Sequence, residues 1–522
     1  MVIQVNLDFL SNMKKLYGLL FIVLFFTTAL VLLAAVIRGQ AGNPIYHQTQ
    51  EERNKKVGSP FESTGSTSRY AMIEAMVEDQ TFFLNEERAK FAAPDVVQYK
   101  GKLFSIFTPG VAFLGIPFYI IGKTIGFPQF ITFLSTAILA LINLCLVAQI
   151  AKKFGAGRYS AILSGFIFLF ATSAVSYALT LTQHHLSTAI ILLALISSMG
   201  KTTFLKNAWF GILFSAGLLV DIPNGIMMTP IGIYMLIKHF KKLEPEVNQI
   251  KFRIKLSFVA ILIGMIPLLA VFGWYNHETT GSYTTIAQTI GRSDYFEPPE
   301  IREQNRLEKE SQDAFDEKLP FDTRNQISEF YILLVSNQRG WLIYSPIILI
   351  GALGLYYVYK KEKTLATVII SVILSNIIVY SLFGGLGGWA FGPRYLIPAA
   401  AILSAAIGIT VERFRRNVFF IVAFIILLAY SLGVNTIGAM TTTQVPPKVE
   451  AVNLPNPIPY TYEYNLQLID KNLTSSLVYN LYLFKFMSVR EFLYAYYAVV
   501  LTAIVSAYLF VLFGKEKKYD QV

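Results

Sequence analysis

Five places in this sequence put ionisable side chains among otherwise apolar residues, where they could perform chemistry. Two arginines and a carboxylate on one face would suit an anionic group, because a guanidinium binds phosphate oxygens through two parallel hydrogen bonds. A carboxylate can also take the proton of an attacking hydroxyl. In chain order the residues are Asp95 in APDVVQYKGKLFS, His184 and His185 in TQHHLS, Asp221 in LLVDIPNG, Arg339 in NQRGWLIYSP, and Arg394 in GGLGGWAFGPRYLIP with Trp389 five residues earlier.

Each of these residues also has a plain structural interpretation. Asp95 could be a solvated loop residue or a helix cap, and Asp221, two residues before a proline, could lie at a helix boundary. The arginines could be interfacial anchors, and the Gly-rich loop 384–392 could be a hairpin only. His184 and His185 are a weak metal site, because adjacent residues on a helix do not face the same way.

Motifs of soluble enzymes are absent from the sequence. It contains no Walker loop, no G-x-S-x-G and no HExxH. The chain has one cysteine, Cys145, which lies in an apolar run. Because there is only one, an intrachain disulfide and a cysteine metal cluster are excluded. The net charge of +11 comes from short basic clusters beside apolar runs, where anionic lipids would hold them, and no nucleic-acid motif accompanies it.

The elements that position these side chains are predicted to be membrane helices. Hydrophobic residues make up 54% of the 522, charged residues 15%, and the mean hydropathy is +0.51, which excludes one soluble domain. A span needs about 20 apolar residues. We predict an all-α polytopic membrane protein of about twelve transmembrane helices with external juxtamembrane helices and loops. The spans fall near 16–37, 128–150, 159–181, 186–200, 207–220, 223–237, 255–275, 341–359, 364–383, 395–411, 417–435 and 490–513.

Charge placement predicts the orientation of these helices. The loops between spans fall into two sets that alternate along the chain. One set contains 22 of the 44 basic residues, including the clusters Lys152–Lys153, Lys360–Lys361 and Arg415–Arg416, and only 7 acidic residues. The positive-inside rule puts that set in the cytoplasm, with both termini, and puts the other set outside a cell membrane. All five candidate places then lie at the outer ends of spans.

Residues 109–125 are apolar enough to count as a further span. Counting them would invert every later loop and place the basic clusters outside. Parity therefore predicts a helix that lies on or dips into the outer face. The resulting organisation has an N-terminal tail and first helix (1–37), a first external loop (38–127), membrane cores (128–275 and 341–435), external loops (276–340 and 436–489), and a last helix with a cytoplasmic tail (490–522).

An ordered set of segments resembles the GT-C type of membrane glycosyltransferase, in particular the prokaryotic dolichyl-phosphate-mannose protein mannosyltransferase-like and ArnT-like branch. The likeness covers about residues 14–435. The segments are SRYAMIEAMVEDQTF, PDVVQYKGKLFSIFTPGVAFLGIPFYIIG, QHHLSTAIILL, LLVDIPNGIMMTPIGIYML, NQRGWLIYSPIILIGALGL and GGWAFGPRYLIPAAAIL.

The resemblance implies inverting transfer of a hexosyl or pentosyl group from a polyprenyl-phosphate carrier to a protein, lipid or glycan acceptor outside the cytoplasm. No nucleic-acid partner is implied, and a divalent cation is possible. The family often has Asp-Glu before an Arg-Tyr-Ala stretch, but this chain has Ser66, Thr67 and Ser68 there. Asp95 is our substitute for the acidic residue, with Glu62 and Glu74 behind it. Arg394, Arg339 and Arg69 are assigned to the donor phosphate, and His184, His185, Asp221, Trp389 and Tyr395 to the cavity.

Three other functions stay open at this point. A transporter or lipid flippase would need ionisable residues deep inside spans, whereas this chain keeps nearly all of them at span ends. A glycan ligase similar to O-antigen ligases usually depends on a late external loop with Arg and His, and 436–489 has no His. A catalytically inactive scaffold is compatible with the missing Asp-Glu pair.

The topology is tested by cysteine labelling in a chain whose Cys145 is replaced by Ser. Cysteines introduced at positions 55, 310 and 460 should react with a membrane-impermeant maleimide on intact cells, because these positions lie in external loops. Cysteines at 242 and 362 should react only after permeabilisation. External labelling at 242 would overturn the charge-based orientation.

Overall fold

The computed structural model describes residues 7–39, 59–238, 240–242, 252–254, 256–296, 326–382, 389–446 and 461–513. Most of the Gly-rich loop 384–392 and most of the charged stretch 294–324 lie outside the described residues. The fold is all-α apart from two short hairpins, so the predicted fold class of a polytopic helical membrane protein is confirmed.

The first third of the described chain consists of one long apolar helix, a small layer formed by the predicted first external loop (the external layer), and an apolar helix that leads into the helix bundle. The external layer holds an antiparallel hairpin in which Val96 pairs with Ser105 and Tyr99 with Lys102. The elements are α1 (Leu7–Ala35), α2 (Thr64–Glu78), α3 (Glu86–Ala92), β1 (Val96–Tyr99), β2 (Lys102–Ser105) and α4 (Gly110–Thr124).

The central third is a run of apolar helices joined by short turns. Their boundaries follow from local signals such as Pro128 and Pro223 at first helical positions and Gly155 in the left-handed region (φ 118°) after a helix. The elements are α5 (Pro128–Phe154), α6 (Arg158–Phe170), α7 (Ala174–Tyr177), α8 (His184–Ser198), α9 (Phe204–Val220), α10 (Pro223–Ile237), β3 (Phe240–Lys242), β4 (Phe252–Ile254), α11 (Val259–Thr280) and α12 (Ala287–Ile290).

The last third contributes the most buried of the six long apolar helices and two long helices with exposed apolar surface. The segment 397–411 is buried along its whole length, whereas 418–440 and 489–513 expose much of their apolar surface. The elements are α13 (Gln326–Leu334), α14 (Trp341–Tyr344), α15 (Ile348–Lys361), α16 (Lys363–Leu382), α17 (Ile397–Phe414), α18 (Val418–Met440), α19 (Glu463–Asp470), α20 (Leu477–Leu481) and α21 (Val489–Phe513).

Each of the twelve predicted spans overlaps a helix. Within the described chain, six helices are long and apolar enough to cross a bilayer, and six further apolar helices are 10–17 residues long. Two predicted spans are interrupted. The span at 159–181 breaks between α6 and α7, and the span at 341–359 breaks at Pro346 between α14 and α15.

Small residues let the membrane helices approach closely. A Cβ atom at Gly211 of α9 would overlap the backbone oxygen of Ile261 in α11, and one at Gly264 would overlap that of Ala208. Gly354 of α15 stands in the same relation to Ala406 of α17. In a bilayer, apolar side chains contact lipid tails as favourably as they contact another helix. Helix association therefore depends on close backbone packing, and glycine allows the backbones to approach this closely.

Both ends of α4 contact helix ends that the topology places on the outer side. Gly110 packs on the last residues of α9, Leu219 and Val220, and Gly122 packs on Pro128 at the start of α5. The helix also lies against Ile73 of the external helix α2 through Gly115. Both ends of α4 therefore lie beside helix ends that the predicted topology assigns to the same side, and a helix lying along the outer face stays a prediction.

Candidate functional site

A single polar cluster gathers most of the predicted site residues where helix ends meet. The external helix α2, the turn before α8, the turn after α9, the end of α16, the loop before α14 and the segment before α17 all contribute to it. The predicted residues brought into contact or electrostatic range there are Arg69, Asp95, His184, Asp221, Arg339, Arg394 and Tyr395.

Arg69 is 3% exposed and lies over the ring of Phe107, with its guanidinium carbon 3.8 Å from the ring centroid. Its Nη1 donates to the backbone oxygen of Gly65 at 2.9 Å, and its Nη2 donates to Oε1 of Gln183 at 2.8 Å. Its Nε is buried and has no hydrogen-bond partner among the described residues. Burial lowers the pKa of Arg69 to about 10, so the guanidinium still carries its charge at neutral pH.

Gln183 connects Arg69 to Asp221. Its Nε2 donates to Oδ2 of Asp221 at 3.4 Å, and Tyr380, near the end of α16, donates to the same oxygen at 3.3 Å. Burial raises the pKa of Asp221, and the positive charge of Arg69 opposes this shift. Asp221 lies where α9 ends because its extended backbone (φ −167°, ψ 127°) precedes the Ile222–Pro223 entry into α10.

Arg394 and Tyr395 form the opposite side of the cluster. Arg394 donates from Nη2 to the Tyr395 hydroxyl at 3.1 Å, whereas its Nε is buried and no described residue hydrogen-bonds to it. The Tyr395 ring stacks on Tyr380 at 4.5 Å and meets the ring of His184 edge-on at 5.6 Å. The segment turns into α17 through Gly392 (φ 58°), which packs against Tyr344.

Arg339 is the third arginine of the cluster and is 4% exposed. Burial and the repulsion of nearby Arg394 lower the pKa of Arg339 to about 10, and Tyr177 and Tyr395 oppose the shift. Its backbone N–H is bonded to the hydroxyl of Ser336 at 3.2 Å. Arg394 likewise repels Arg69. Among the described residues, three guanidinium groups therefore share a region with two nearby carboxylates, Asp95 and Asp221, which leaves an excess of positive charge.

Asp95 has a carboxyl group that is 2% exposed and close enough to Arg69 and Arg394 to interact with both electrostatically. Its Oδ1 accepts a hydrogen bond from Nε of Arg292 at 2.9 Å and forms an ion pair with Nη2 of the same side chain at 2.6 Å. Its backbone oxygen accepts from the Ser68 hydroxyl at 2.7 Å. This hydrogen bond from Ser68 fixes the segment that carries Asp95. In the resembled family, the position of Ser68 often holds an acidic residue.

Glu62 has partners that account for its whole carboxylate. It forms an ion pair with Arg38, just beyond α1, and accepts from the hydroxyl of Thr442. Its Oε1 also accepts from the backbone N–H and the hydroxyl of Thr443, at 3.0 and 2.8 Å. Arg38 and Glu62 are 0% and 2% exposed. This pair joins α1, the entry to α2 and the segment after α18, which is a structural role.

Three other predicted residues have different neighbours. Glu74 lies 3.8 Å from Nε of Arg88, on the side of α2 that faces α3. His185 is wholly buried and bonded to Asn143 at 3.2 Å through Nδ1 and to the backbone oxygen of Ala174 at 2.9 Å through Nε2. Trp389 is half-buried at the start of the segment that leads to Arg394. The adjacent histidines thus separate, with only His184 in the cluster.

The donor set does not fit a divalent cation. In the described ranges, no group of three or more His, Cys, Asp and Glu side chains lies close enough to hold a metal ion. The two carboxylates near the arginines are each engaged, Asp95 by Arg292 and Asp221 by Gln183 and Tyr380.

Gln183 and Tyr380 are site residues that the sequence interpretation missed. Gln183 directly precedes the paired histidines in TQHHLS. Its position as a polar residue at a predicted outer turn could have identified it as a site residue. Tyr380 lies near the end of a span, where tyrosine is common in any membrane protein because its ring suits the interface.

Comparison with known proteins gives structural similarity only. The sequence matches no protein-family model and no curated protein. The structure is similar to ArnT from Cupriavidus metallidurans in the apo state (13% identity, 95% of this chain and 76% of that chain, TM-score 0.48) and bound to undecaprenyl phosphate (12%, 95% and 77%, 0.47). It is also similar to the Archaeoglobus fulgidus oligosaccharyltransferase tethered with an acceptor peptide (12%, 81% and 54%, 0.42). Similarity at this level does not bear on activity, which has to be argued from the site residues.

The role of Glu62 is tested by its stability effect. Glu62→Gln leaves the Arg38 guanidinium buried without a counter-charge, so the detergent-solubilised protein should lose about 3–5 kcal/mol of unfolding free energy. Thermal and denaturant unfolding measure this. Glu78→Gln is the matched control, because its pair with Lys123 is partly exposed and contributes about 1 kcal/mol or less. Equal effects of the two variants would refute the structural role of Glu62.

Proposed function

We propose that this protein transfers a glycosyl group from a polyprenyl-phosphate-linked donor to an acceptor hydroxyl of a protein, lipid or glycan at the outer face of the membrane. The observation that supports it is the excess of buried arginine in the cluster. Arg394 repels both Arg69 and Arg339, and within the described residues the Nε atoms of Arg69 and Arg394 have no hydrogen bond. An uncompensated buried charge is costly, so its persistence marks a place for an anion.

The donor phosphate would bind between Arg394 and Arg69. A sugar–phosphate diester carries one negative charge, which rises as the bond between the anomeric carbon and the phosphate oxygen breaks. Guanidinium groups already fixed at that place stabilise the developing charge without reorganising. The aromatic pair of Tyr395 and Tyr380 lies beside Arg394, and such stacked rings would support a sugar. The lipid tail of the donor would stay in the bilayer next to the helix ends.

Asp95 is our candidate for the base that accepts the acceptor's proton. In an inverting displacement the acceptor oxygen attacks the anomeric carbon, the phosphate leaves with the bonding electron pair, and the hydroxyl proton passes to a carboxylate. No hydrogen bond to Oδ2 of Asp95 is formed within the residues that the structure describes, so this oxygen is available. Asp221 would act from the other side by holding Arg69 in place through Gln183. No step is assigned to a metal ion.

Arg394→Lys tests phosphate binding. The variant keeps the charge but loses the planar fork, so it should lose at least about tenfold in affinity for undecaprenyl phosphate and in transfer rate. Binding to purified protein and glycosyl transfer from undecaprenyl-phosphate mannose, glucose and a pentose into membranes of the source organism provide the readouts. Arg158→Lys, at the exposed start of α6, is the control. Normal binding by Arg394→Lys would make Arg394 an anchor only.

Asp95→Asn tests the base in the same transfer assay. It should bind undecaprenyl phosphate normally and transfer about 10² to 10⁴ times more slowly. Asp221→Asn should mainly weaken binding, because Arg69 loses its support, and Glu74→Gln should transfer normally. If only a glutamate variant loses transfer with its stability intact, the assignment of Asp95 is wrong. A wild-type protein that binds the lipid but transfers no sugar would favour the scaffold or transporter alternatives.

A further inference from the structure

Arg292 binds Asp95, the candidate base, from the segment that follows α12. The sequence alone indicates no role for this segment. The Nε and Nη2 atoms of Arg292 lie 2.9 and 2.6 Å from the same atom, Oδ1 of Asp95, across 197 residues of chain. The Arg292 side chain is 61% exposed, whereas Asp95 is 2% exposed. A solvent-exposed guanidinium thus reaches inward to one oxygen of a buried carboxylate.

The segment around Arg292 is attached to the external layer by other contacts. The backbone N–H of Ser293 donates to the oxygen of Val96 in β1 at 2.8 Å. Ala287 of α12 packs with Val97 and Phe104 of the β1–β2 hairpin in a small apolar cluster. Gly291, with φ at 91°, turns the chain from α12 toward Arg292. Because these contacts hold the segment, the Arg292 side chain is not needed to dock it.

The Asp95 carboxylate has no other side-chain partner in the described portion of the chain. Its backbone is fixed by Ser68 and by the N–H of Ile106, but rotation of the carboxylate about χ2 is soft in aspartate. The hydrogen bond from Nε and the ion-pair contact from Nη2, both made to Oδ1 by one planar guanidinium, restrict that rotation. They also leave Oδ2 in a defined place with its acceptor capacity unused.

We propose that Arg292 is a positioning residue that fixes the Asp95 carboxylate through Oδ1 so that Oδ2 receives the acceptor's proton. This inference rests on the proposed function and extends it to a residue of the second external loop. A base must stand within hydrogen-bond reach of the attacking hydroxyl, and a misplacement of about 1 Å is enough to cost 10²-fold in rate. The alternative, that Arg292 blocks Asp95 until an acceptor displaces it, predicts the opposite effect of removing the side chain.

The experiment compares Arg292→Gln, Arg292→Ala, Asp95→Asn and the double variant Asp95→Asn/Arg292→Gln in the transfer assay above. Arg292→Gln should lower transfer by tenfold or more with undecaprenyl phosphate binding unchanged. The double variant should be no slower than Asp95→Asn alone, since both changes disable one group. Millimolar guanidinium should restore part of the activity of Arg292→Ala, because the position is open to solvent.

Arg490→Gln is the matched control. Arg490 and Asp470 form another external arginine–aspartate pair, with side chains 57% and 58% exposed, and no residue of the cluster takes part in it. Transfer by this variant should equal that of the wild type.

The outcomes separate the two levels of the proposal. If the wild type transfers no sugar, the proposed function fails and this inference fails with it. If the wild type transfers and Asp95→Asn is slow, but Arg292→Gln is as fast as or faster than the wild type, only the positioning role is overturned. Losses that add in the double variant, or no rescue by guanidinium, would likewise overturn it.

Discussion

The polar cluster depends on one constraint: three guanidinium groups, those of Arg69, Arg339 and Arg394, are buried near only two described carboxylates. A charged group removed from water loses several kcal/mol unless fixed dipoles or counter-charges replace its hydration. For Arg69 these replacements come from Gly65 in its own helix, Gln183 before α8, and the ring of Phe107. Distant chain segments must all be in place before Arg69 can be buried, so this one side chain orders the external layer against the membrane helices.

The two buried arginine sites of the external side differ in how completely their charge is compensated. Arg38 faces a carboxylate in direct contact, and that carboxylate, Glu62, has further donors in Thr442 and Thr443. Nη1 and Nη2 of Arg38 also form no hydrogen bond within the described residues, but a carboxylate in contact balances the charge, and the site joins segments. The cluster of Arg69 and Arg394 keeps unused donors, and its carboxylates act at longer range. Because the positive charge of the cluster is only partly balanced by carboxylates, the cluster is suited to bind an anion.

The membrane helices supply the precision of this arrangement. Close backbone contacts at Gly211, Gly264 and Gly354 leave little freedom for the helices to slide. The turns at their outer ends therefore present His184, Asp221 and the segment before Arg394 in fixed relation to one another. The base would come from elsewhere, since Asp95 belongs to the turn before β1 in the external layer and is held by a residue of the second external loop.

The sequence by itself predicted the helical membrane fold, because bilayer thickness sets the length of an apolar run. The side on which the basic loops lie, inferred from lipid charge, stays a prediction. All twelve predicted spans overlap helices, and Asp95, Asp221, Arg339 and Arg394 stood out in the sequence as ionisable residues near the predicted outer ends of spans. Local patterns suffice for such properties because they depend on each segment's own contact with lipid and water.

Only the tertiary structure decided which of these residues work together. Sequence could not separate Glu62 from Asp95, because the difference lies in partners far along the chain: Arg38 and Thr443 for one, Arg292 for the other. It could not select His184 over His185, because about 100° of helix rotation separates neighbours and packing chooses the face. The roles of Gln183 and Arg292 follow from hydrogen bonds between segments, which local patterns of hydrophobicity and charge do not encode.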